Sequence, residues 1–121
     1  MKRFFLIFPV LLIVFSVQGQ DWKGYYDKAV ADYQSQRYVD ALANGEKAFE
    51  ISKTLDLKNQ AFTLQLLTAI CLEAQEYEKG LSFSDAEVTA FVQSEGAKSK
   101  HHAEALLKRG GMNQALSNLE V

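Results

Sequence analysis

One spacing occurs three times along this chain, each time just after a short polar or glycine-containing break. An apolar residue is followed three positions later by a small residue, and the small residue is followed at once by leucine. The three occurrences are Tyr38-Ala41-Leu42, Tyr77-Gly80-Leu81 and Met112-Ala115-Leu116. A pattern that returns at intervals of about 34 to 40 residues is typical of folds built from stacked helix–turn–helix units. The recurrence therefore predicts one structural unit used three times.

The residues between these breaks have a helical rather than an alternating apolar pattern. No proline follows Pro9, and the strong helix formers Ala, Leu, Lys, Glu and Gln recur throughout. In the first segment, one helical stripe contains Trp22, Tyr25, Tyr26, Ala29 and Tyr33. We therefore predict an all-α fold of about six helices in three pairs, with the last pair incomplete. The predicted helices cover about 22–33, 38–51, 59–74, 77–93 and 99–109, and a sixth begins at Met112 after a turn at Gly110-Gly111.

The N-terminal segment, residues 1–19, is predicted to be a secretory signal peptide. Lys2 and Arg3 precede an apolar run, and Val17 and Gly19 stand at the small or apolar positions that a signal peptidase reads. Cleavage after Gly19 would leave residues 20–121 as a single domain that is periplasmic or secreted. The alternative is an uncleaved membrane anchor, which is disfavoured because a membrane span needs roughly 18 or more apolar residues. After cleavage, no association with a membrane is expected.

Charge and residue content disfavour several classes of function. The formal net charge is −2, and removal of Lys2 and Arg3 makes the remainder more acidic, so nucleic acid is not an expected partner. His101 and His102 are adjacent and face different sides of a helix, a spacing that does not favour a metal site. Cys71 lies in an apolar run, where a buried structural thiol is expected rather than a nucleophile. We therefore expect neither a cofactor nor a metal nor catalytic residues.

The recurring unit resembles the tetratricopeptide repeat (TPR) family, in which small residues let paired helices approach closely and aromatic residues fill the gaps between pairs. On this resemblance, repeats cover 22–55 and 61–94, and a third, incomplete repeat covers 96–121. The sequence departs from the family at Asp32 and Gly45, where bulky residues are usual, and at Glu87, where a small one is usual. The resemblance implies a TPR-like α-solenoid with these packing residues: Ala29, Tyr38, Ala41, Ala48, Tyr77, Gly80, Ala103 and Ala115.

The resemblance also implies a function. In the family, the first helix of each pair lines a concave groove that takes an extended peptide or a partner helix, so we expect a non-catalytic scaffold that binds a protein or peptide. The corresponding groove residues are Tyr26, Tyr33, Gln34, Gln65, Glu73, Lys100, Glu104 and Lys108. Two alternatives stay open. One is a regulatory array at the front of a longer enzyme, for example a caspase-like peptidase. The other is an envelope component that self-associates through an uncapped end at Leu119 and Val121.

Overall fold

A computed structural model describes residues 21–96 and 100–119 of the chain, and these residues are helical, with no strand among them. The described helices are α1 at residues 21–34, α2 at Tyr38–Ser52, α3 at Leu57–Glu73, α4 at Tyr77–Glu95 and α5 at Lys100–Leu119. The predicted all-α fold class is therefore confirmed. The expected signal peptide, residues 1–19, lies outside the described residues, as does Val121. Within the described ranges, no helix is long and apolar enough to cross a membrane.

Two of the connections between helices share one hydrogen-bonded turn. In each turn a glutamine adopts the left-handed conformation, with φ of 62° at Gln36 and 60° at Gln75. The N–H of this glutamine donates to a carbonyl three residues back, and the next N–H donates to a carbonyl five residues back, which is the Schellman arrangement that ends a helix. The four bonds join Gln36 to Tyr33, Arg37 to Asp32, Gln75 to Leu72 and Glu76 to Cys71. The α1–α2 and α3–α4 hairpins therefore begin with the same turn geometry.

Different features mark the start of α3 and the end of α4. Asp56 caps α3, because its carboxylate accepts a hydrogen bond of 2.8 Å from the N–H of Asn59. Gly96 follows α4 with a φ of 96°, a conformation that side chains other than glycine rarely adopt. Both features keep the ends of α3 and α4 close to the boundaries predicted from the sequence.

Two apolar clusters hold the first four helices together. The first joins α1, α2 and α3 and consists of the buried residues Ala29, Ala41, Leu66 and Ile70. The second joins α2, α3 and α4 and consists of Ala61, Leu64, Ala90 and Phe91, with Phe49, Phe62 and Phe83 packed against them. Burial of this kind stabilises a fold by about 25 cal/mol for each Å² of apolar surface removed from water. Because α3 supplies two of the four buried residues of each cluster and also contacts α5, it is the central helix of the described structure.

Two glycines mark places where helices approach closely. A Cβ on Gly45 of α2 would lie 2.8 Å from Leu67 Cδ2 of α3. A Cβ on Gly80 of α4 would lie 3.1 Å from Cys71 Cβ and would also collide with Met112 Sδ of α5. Gly45 therefore departs from the family pattern for a packing reason, since Leu67 fills the space that a bulky side chain would need.

The remaining packing residues inferred from the resemblance have unequal surroundings. Ala29, Ala41 and Ala48 are fully buried between helices. Tyr38, Tyr77 and Ala115 are half-buried, whereas Ala103 is exposed. The small residues of α1 and α2 thus make the expected close contacts, whereas Ala103 and Ala115 of α5 do not.

The last helix corrects the predicted number of helices. Gly110-Gly111 does not turn the chain: both glycines lie inside α5, so the described residues form five helices rather than about six. Two glycines disfavour a helix by about 2 kcal/mol relative to two alanines. Full burial of a methionine such as Met112 stabilises the structure by about 1.5–3 kcal/mol, which is enough to keep the helix continuous. Ala103 is exposed, since no further helix among residues 21–96 and 100–119 covers it.

Candidate protein-binding face

The odd-numbered helices lie side by side. Trp22 Nε1 of α1 donates a hydrogen bond of 2.8 Å to Thr63 Oγ1 of α3. The rings of Phe62 on α3 and His101 on α5 meet edge to face, with centroids 5.3 Å apart. Helix α3 therefore contacts both α1 and α5.

Tyr26 and Tyr33 are the aromatic residues of α1 among the predicted groove positions, and both are half-buried against the cluster of Ala29, Ala41, Leu66 and Ile70. They are seven residues apart, which is two helical turns, so they lie on the same side of the helix. Burial raises the pKa of Tyr26 above its ordinary value, and the charge of Asp27 raises it further. Burial likewise raises the pKa of Tyr33, and the nearby Glu73 adds to the effect. Both phenols are therefore protonated at neutral pH and can donate a hydrogen bond to a ligand.

The other predicted groove positions on α1, α3 and α5 carry polar and charged side chains. Gln34 and Glu73, at the ends of α1 and α3, are exposed. On α5, Lys100 Nζ lies 3.8 Å from Glu104 Oε1, an exposed ion pair of the kind that contributes little to stability, so both charges are available to a ligand. We use the name odd-helix face for the set Tyr26, Tyr33, Gln34, Gln65, Glu73, Lys100 and Glu104.

Lys108, the last of the groove residues implied by the resemblance, is engaged inside the domain. Its Nζ lies 2.9 Å from Glu87 Oε2 of α4 and 3.5 Å from the carbonyl oxygen of Gln65 on α3. Glu87 is fully buried, and its Oε1 has no hydrogen-bond partner within residues 21–96 and 100–119. Lys108 therefore neutralises a buried carboxylate, whose transfer out of water without a counter-charge is costly.

Sequence reasoning missed the pair formed by Glu87 and Lys108. The available signal was Glu87 itself, a charged residue at a position where the family packs a small one. The partner could not be identified, because it lies 21 residues further along the chain and on a different helix. Only the packing of α5 on α4 shows which lysine reaches the carboxylate.

His101 connects α5 to both α3 and α4. Its Nδ1 lies 2.8 Å from Glu95 Oε2, and its ring stacks on Phe91 at a centroid distance of 4.9 Å. These contacts use the imidazole for packing and hydrogen bonding. Within the part of the chain that the structure describes, no group of three or more His, Cys, Asp and Glu side chains is arranged to hold a metal ion.

Cys71 is expected to be unreactive towards thiol reagents in the native protein. It is fully buried, and this burial, partly offset by the charge of Lys79, raises its pKa to about 11. At a mildly alkaline pH, this shift alone lowers the thiolate fraction about two-hundredfold relative to a free cysteine with a pKa near 8.5. Alkylation by iodoacetamide should therefore be at least that much slower in buffer than in denaturing urea. Equal rates under the two conditions would show that Cys71 is accessible.

Asp32 stabilises the turn between α1 and α2 and should make the stability of the protein depend on pH. Its carboxylate accepts hydrogen bonds from Arg37, with Nη2 at 2.8 Å, and from Asn44 Nδ2 at 2.9 Å. The hydrogen bond from Arg37, then that from Asn44, and the positive charges of Arg37 and Lys28 hold the pKa of Asp32 below its ordinary value. A lowered pKa in the folded state stabilises the protein above the unfolded pKa of about 4, and this contribution is lost as the pH falls through the folded pKa.

The test is a comparison of wild type with Asp32→Asn. At neutral pH the variant should be less stable in urea, and the difference should shrink towards zero as the pH falls below about 3. Asp40→Asn, an exposed position in the first turn of α2, is the matched control and should show a smaller trend, since the helix dipole stabilises a first-turn carboxylate by only about 0.3–1 kcal/mol. A difference between wild type and Asp32→Asn that is independent of pH would contradict the role assigned to Asp32.

Comparison of the chain with protein-family models, with curated proteins and with solved structures gave no match.

Proposed function

We propose that this domain is a non-catalytic, exported protein-binding module of the TPR type, and that the odd-helix face receives an extended peptide or a partner helix. The observation that carries the proposal is that α3 contacts both α1 and α5, so the tyrosines of α1 and the charged side chains of α3 and α5 belong to three connected helices. Aromatic anchors accompanied by a few polar groups suit protein recognition better than they suit chemistry. The matching turns at Gln36 and Gln75 and the close approach at Gly80 support the TPR part of the proposal.

The charges suggest the chemistry of the ligand. Phe62 near the start of α3 contacts His101 near the start of α5, whereas Glu73 stands at the end of α3 beside Tyr33. Lys100 and Glu73 therefore lie towards opposite ends of the odd-helix face. The two ends are separated by about 16 Å of helix, which is the length of about five residues of extended peptide. The preferred ligand is a short segment with an acidic residue at one end and a basic residue at the other.

Selection of displayed random peptides against residues 20–121 tests this proposal. The peptides recovered should be enriched in the predicted charge arrangement, and their affinity should fall about tenfold or more in Glu73→Lys and in Lys100→Glu. Both side chains are exposed, so both variants should fold. Tyr33→Phe should also weaken binding, because it keeps the ring but removes the hydroxyl that would donate a hydrogen bond to the peptide. Tyr25→Phe, on another side of α1 beside Lys28 and Lys47, is the matched control and should have no effect.

Two results would refute the proposal. One is the absence of any peptide that binds above background to the folded domain. The other is a set of peptides whose affinity does not respond to Glu73→Lys, Lys100→Glu or Tyr33→Phe, because such peptides bind elsewhere on the molecule.

The export part of the proposal has its own test. The full chain, produced in a Gram-negative host, should be recovered from the periplasm with a mass that corresponds to a start at Gln20. If the chain is recovered from the membrane fraction and still carries residues 1–19, the result would support the membrane anchor instead. Recovery of the intact chain in the cytoplasm would refute export.

A further inference from the structure

Two adjacent glycines, Gly110 and Gly111, lie in the middle of α5 without a packing reason. Both are exposed, and a Cβ on either one would have no heavy atom within 4 Å. Gly45 and Gly80, in contrast, lie against neighbouring helices. Replacing a helical glycine by alanine favours the helix about fivefold, so this pair makes α5 weakest at its centre.

The two halves of α5 are anchored differently. The first half is held to α4 by two ion pairs, Lys108–Glu87 at 2.9 Å and Arg109–Asp85 at 2.6 Å, and by a hydrogen bond of 2.8 Å between His101 and Glu95. The second half is anchored by Met112, which is fully buried in the notch left by Gly80. Beyond this anchor, Leu119 has 73% of its surface exposed. The second half can therefore leave its position while the first half stays in place.

The first half of α5 also has an uncovered apolar side. Leu107 is 78% exposed and Leu106 is 45% exposed, and Ala103 is exposed between them and the start of the helix. If the chain reversed direction at the glycine pair, the second half would run antiparallel along this side. Leu116 would then lie beside Leu106, and Leu119 would lie beside Ala103. The exposed Leu119 and the half-buried Leu116 would then cover Ala103 and Leu106, which are exposed in the straight helix.

The spacing of the second half fits such a reversal. Met112-Ala115-Leu116 repeats the spacing at the starts of α2 and α4, and each of those helices packs back against the helix before it. In both cases a turn of three residues, 35–37 and 74–76, precedes the motif. The glycine pair occupies the corresponding position in α5.

We propose that α5 is a two-state element with its hinge at Gly110-Gly111. In the straight form, Met112 fills the notch at Gly80, and Leu106 and Leu107 are open to solvent. In the folded form, the segment from Met112 to Leu119 packs over Ala103, Leu106 and Leu107. Burial of Met112 favours the straight form. Burial of the leucines and the low helix propensity of the two glycines favour the folded form. This switch does not depend on peptide binding at the odd-helix face.

Two spin labels measure the populations of the two forms. The labels are attached at Lys100→Cys and Asn118→Cys, both exposed positions, in a Cys71→Ala background of residues 20–121. The straight helix separates the two backbone sites by about 27 Å, since each residue adds about 1.5 Å. The folded form brings them to about 10 Å, the spacing of packed helices. Electron–electron double resonance detects the long distance, and dipolar broadening of the continuous-wave spectrum detects the short one.

The variants shift the balance in opposite directions. Gly110→Ala combined with Gly111→Ala should lower the ratio of folded to straight form about twenty-five-fold, because each change favours the helix about fivefold. Met112→Ala keeps the helix propensity high but removes the anchor, and it should raise the folded population. Gly24→Ala, in equally open surroundings on α1, is the control and should leave the distances unchanged. A single long distance in both the unmodified background and Met112→Ala would overturn the proposal. So would a short distance whose population the double alanine variant does not lower.

Discussion

Replacement of Lys108 by methionine is expected to lower the free energy of unfolding by about 3–5 kcal/mol. Methionine keeps an unbranched apolar side chain but removes the ammonium group that lies 2.9 Å from Oε2 of the fully buried Glu87. The carboxylate then stays in a dry site without its counter-charge. Its Oε1 already lacks a hydrogen-bond partner within the described ranges. Urea unfolding at neutral pH, followed by far-ultraviolet circular dichroism, measures the loss.

The two partners of this pair should respond unequally. Glu87→Gln should cost less than Lys108→Met, because the Lys108 side chain is 20% exposed and its charge can reach water. The double variant Glu87→Leu/Lys108→Met should be close to wild type, since it leaves no charge to bury. Lys100→Met, which breaks the exposed pair with Glu104, is the control and should change stability by less than about 1 kcal/mol. If Lys108→Met proved as mild as Lys100→Met, Glu87 would have to reach water or another cation.

Replacement of Gly80 by leucine is expected to lower the free energy of unfolding by about 1–3 kcal/mol. Leucine is the better helix former, by about 1 kcal/mol, so propensity alone predicts the opposite sign. Packing outweighs propensity here, because the new Cβ would lie 3.1 Å from Cys71 Cβ and would overlap Met112 Sδ. The methionine sulfur can move, but the Cys71 Cβ is fixed to the backbone of α3. Thermal and urea unfolding of Gly80→Leu give the sign directly.

Two variants separate packing from propensity. Gly110→Leu makes the same substitution in open space, and it should leave stability unchanged or raise it slightly. Met112→Ala, added to Gly80→Leu, should recover part of the loss, and this would appear as a coupling energy in a double-mutant cycle. Stabilisation by Gly80→Leu equal to that by Gly110→Leu would mean that α5 does not pack on α4 at this point.

Helices α1 to α4 could be predicted from the sequence because each carries one apolar stripe between short polar breaks. Residues such as Ala29, Ala41 and Ala48, which the structure buries, fall on these stripes. The turns at Gln36 and Gln75 were placed correctly although neither contains glycine. Side-chain periodicity on both sides was sufficient, because the packing of two amphipathic helices determines where the chain must reverse.

The continuity of α5 could not be predicted, because local propensity and tertiary packing disagree there. Gly110-Gly111 is a turn signal when read alone, yet intrinsic helix propensity is a weak preference of about 1 kcal/mol per residue. Burial of Met112 against Gly80 has a comparable or larger effect, and it joins residues on different helices. The position of Lys108 was missed for the same reason, since its partner is specified only by the packing of α5 on α4.

The shared turn geometry at Gln36 and Gln75 has a kinetic consequence. Each turn joins two helices that pack on each other, so many contacts within the α1–α2 and α3–α4 hairpins connect residues that are near in sequence. Closing such short loops costs little chain entropy, and proteins rich in local contacts fold in microseconds to milliseconds. Each hairpin can therefore collapse as a unit. The slower search is then the docking of one hairpin on the next, through long-range contacts such as the one between Trp22 and Thr63.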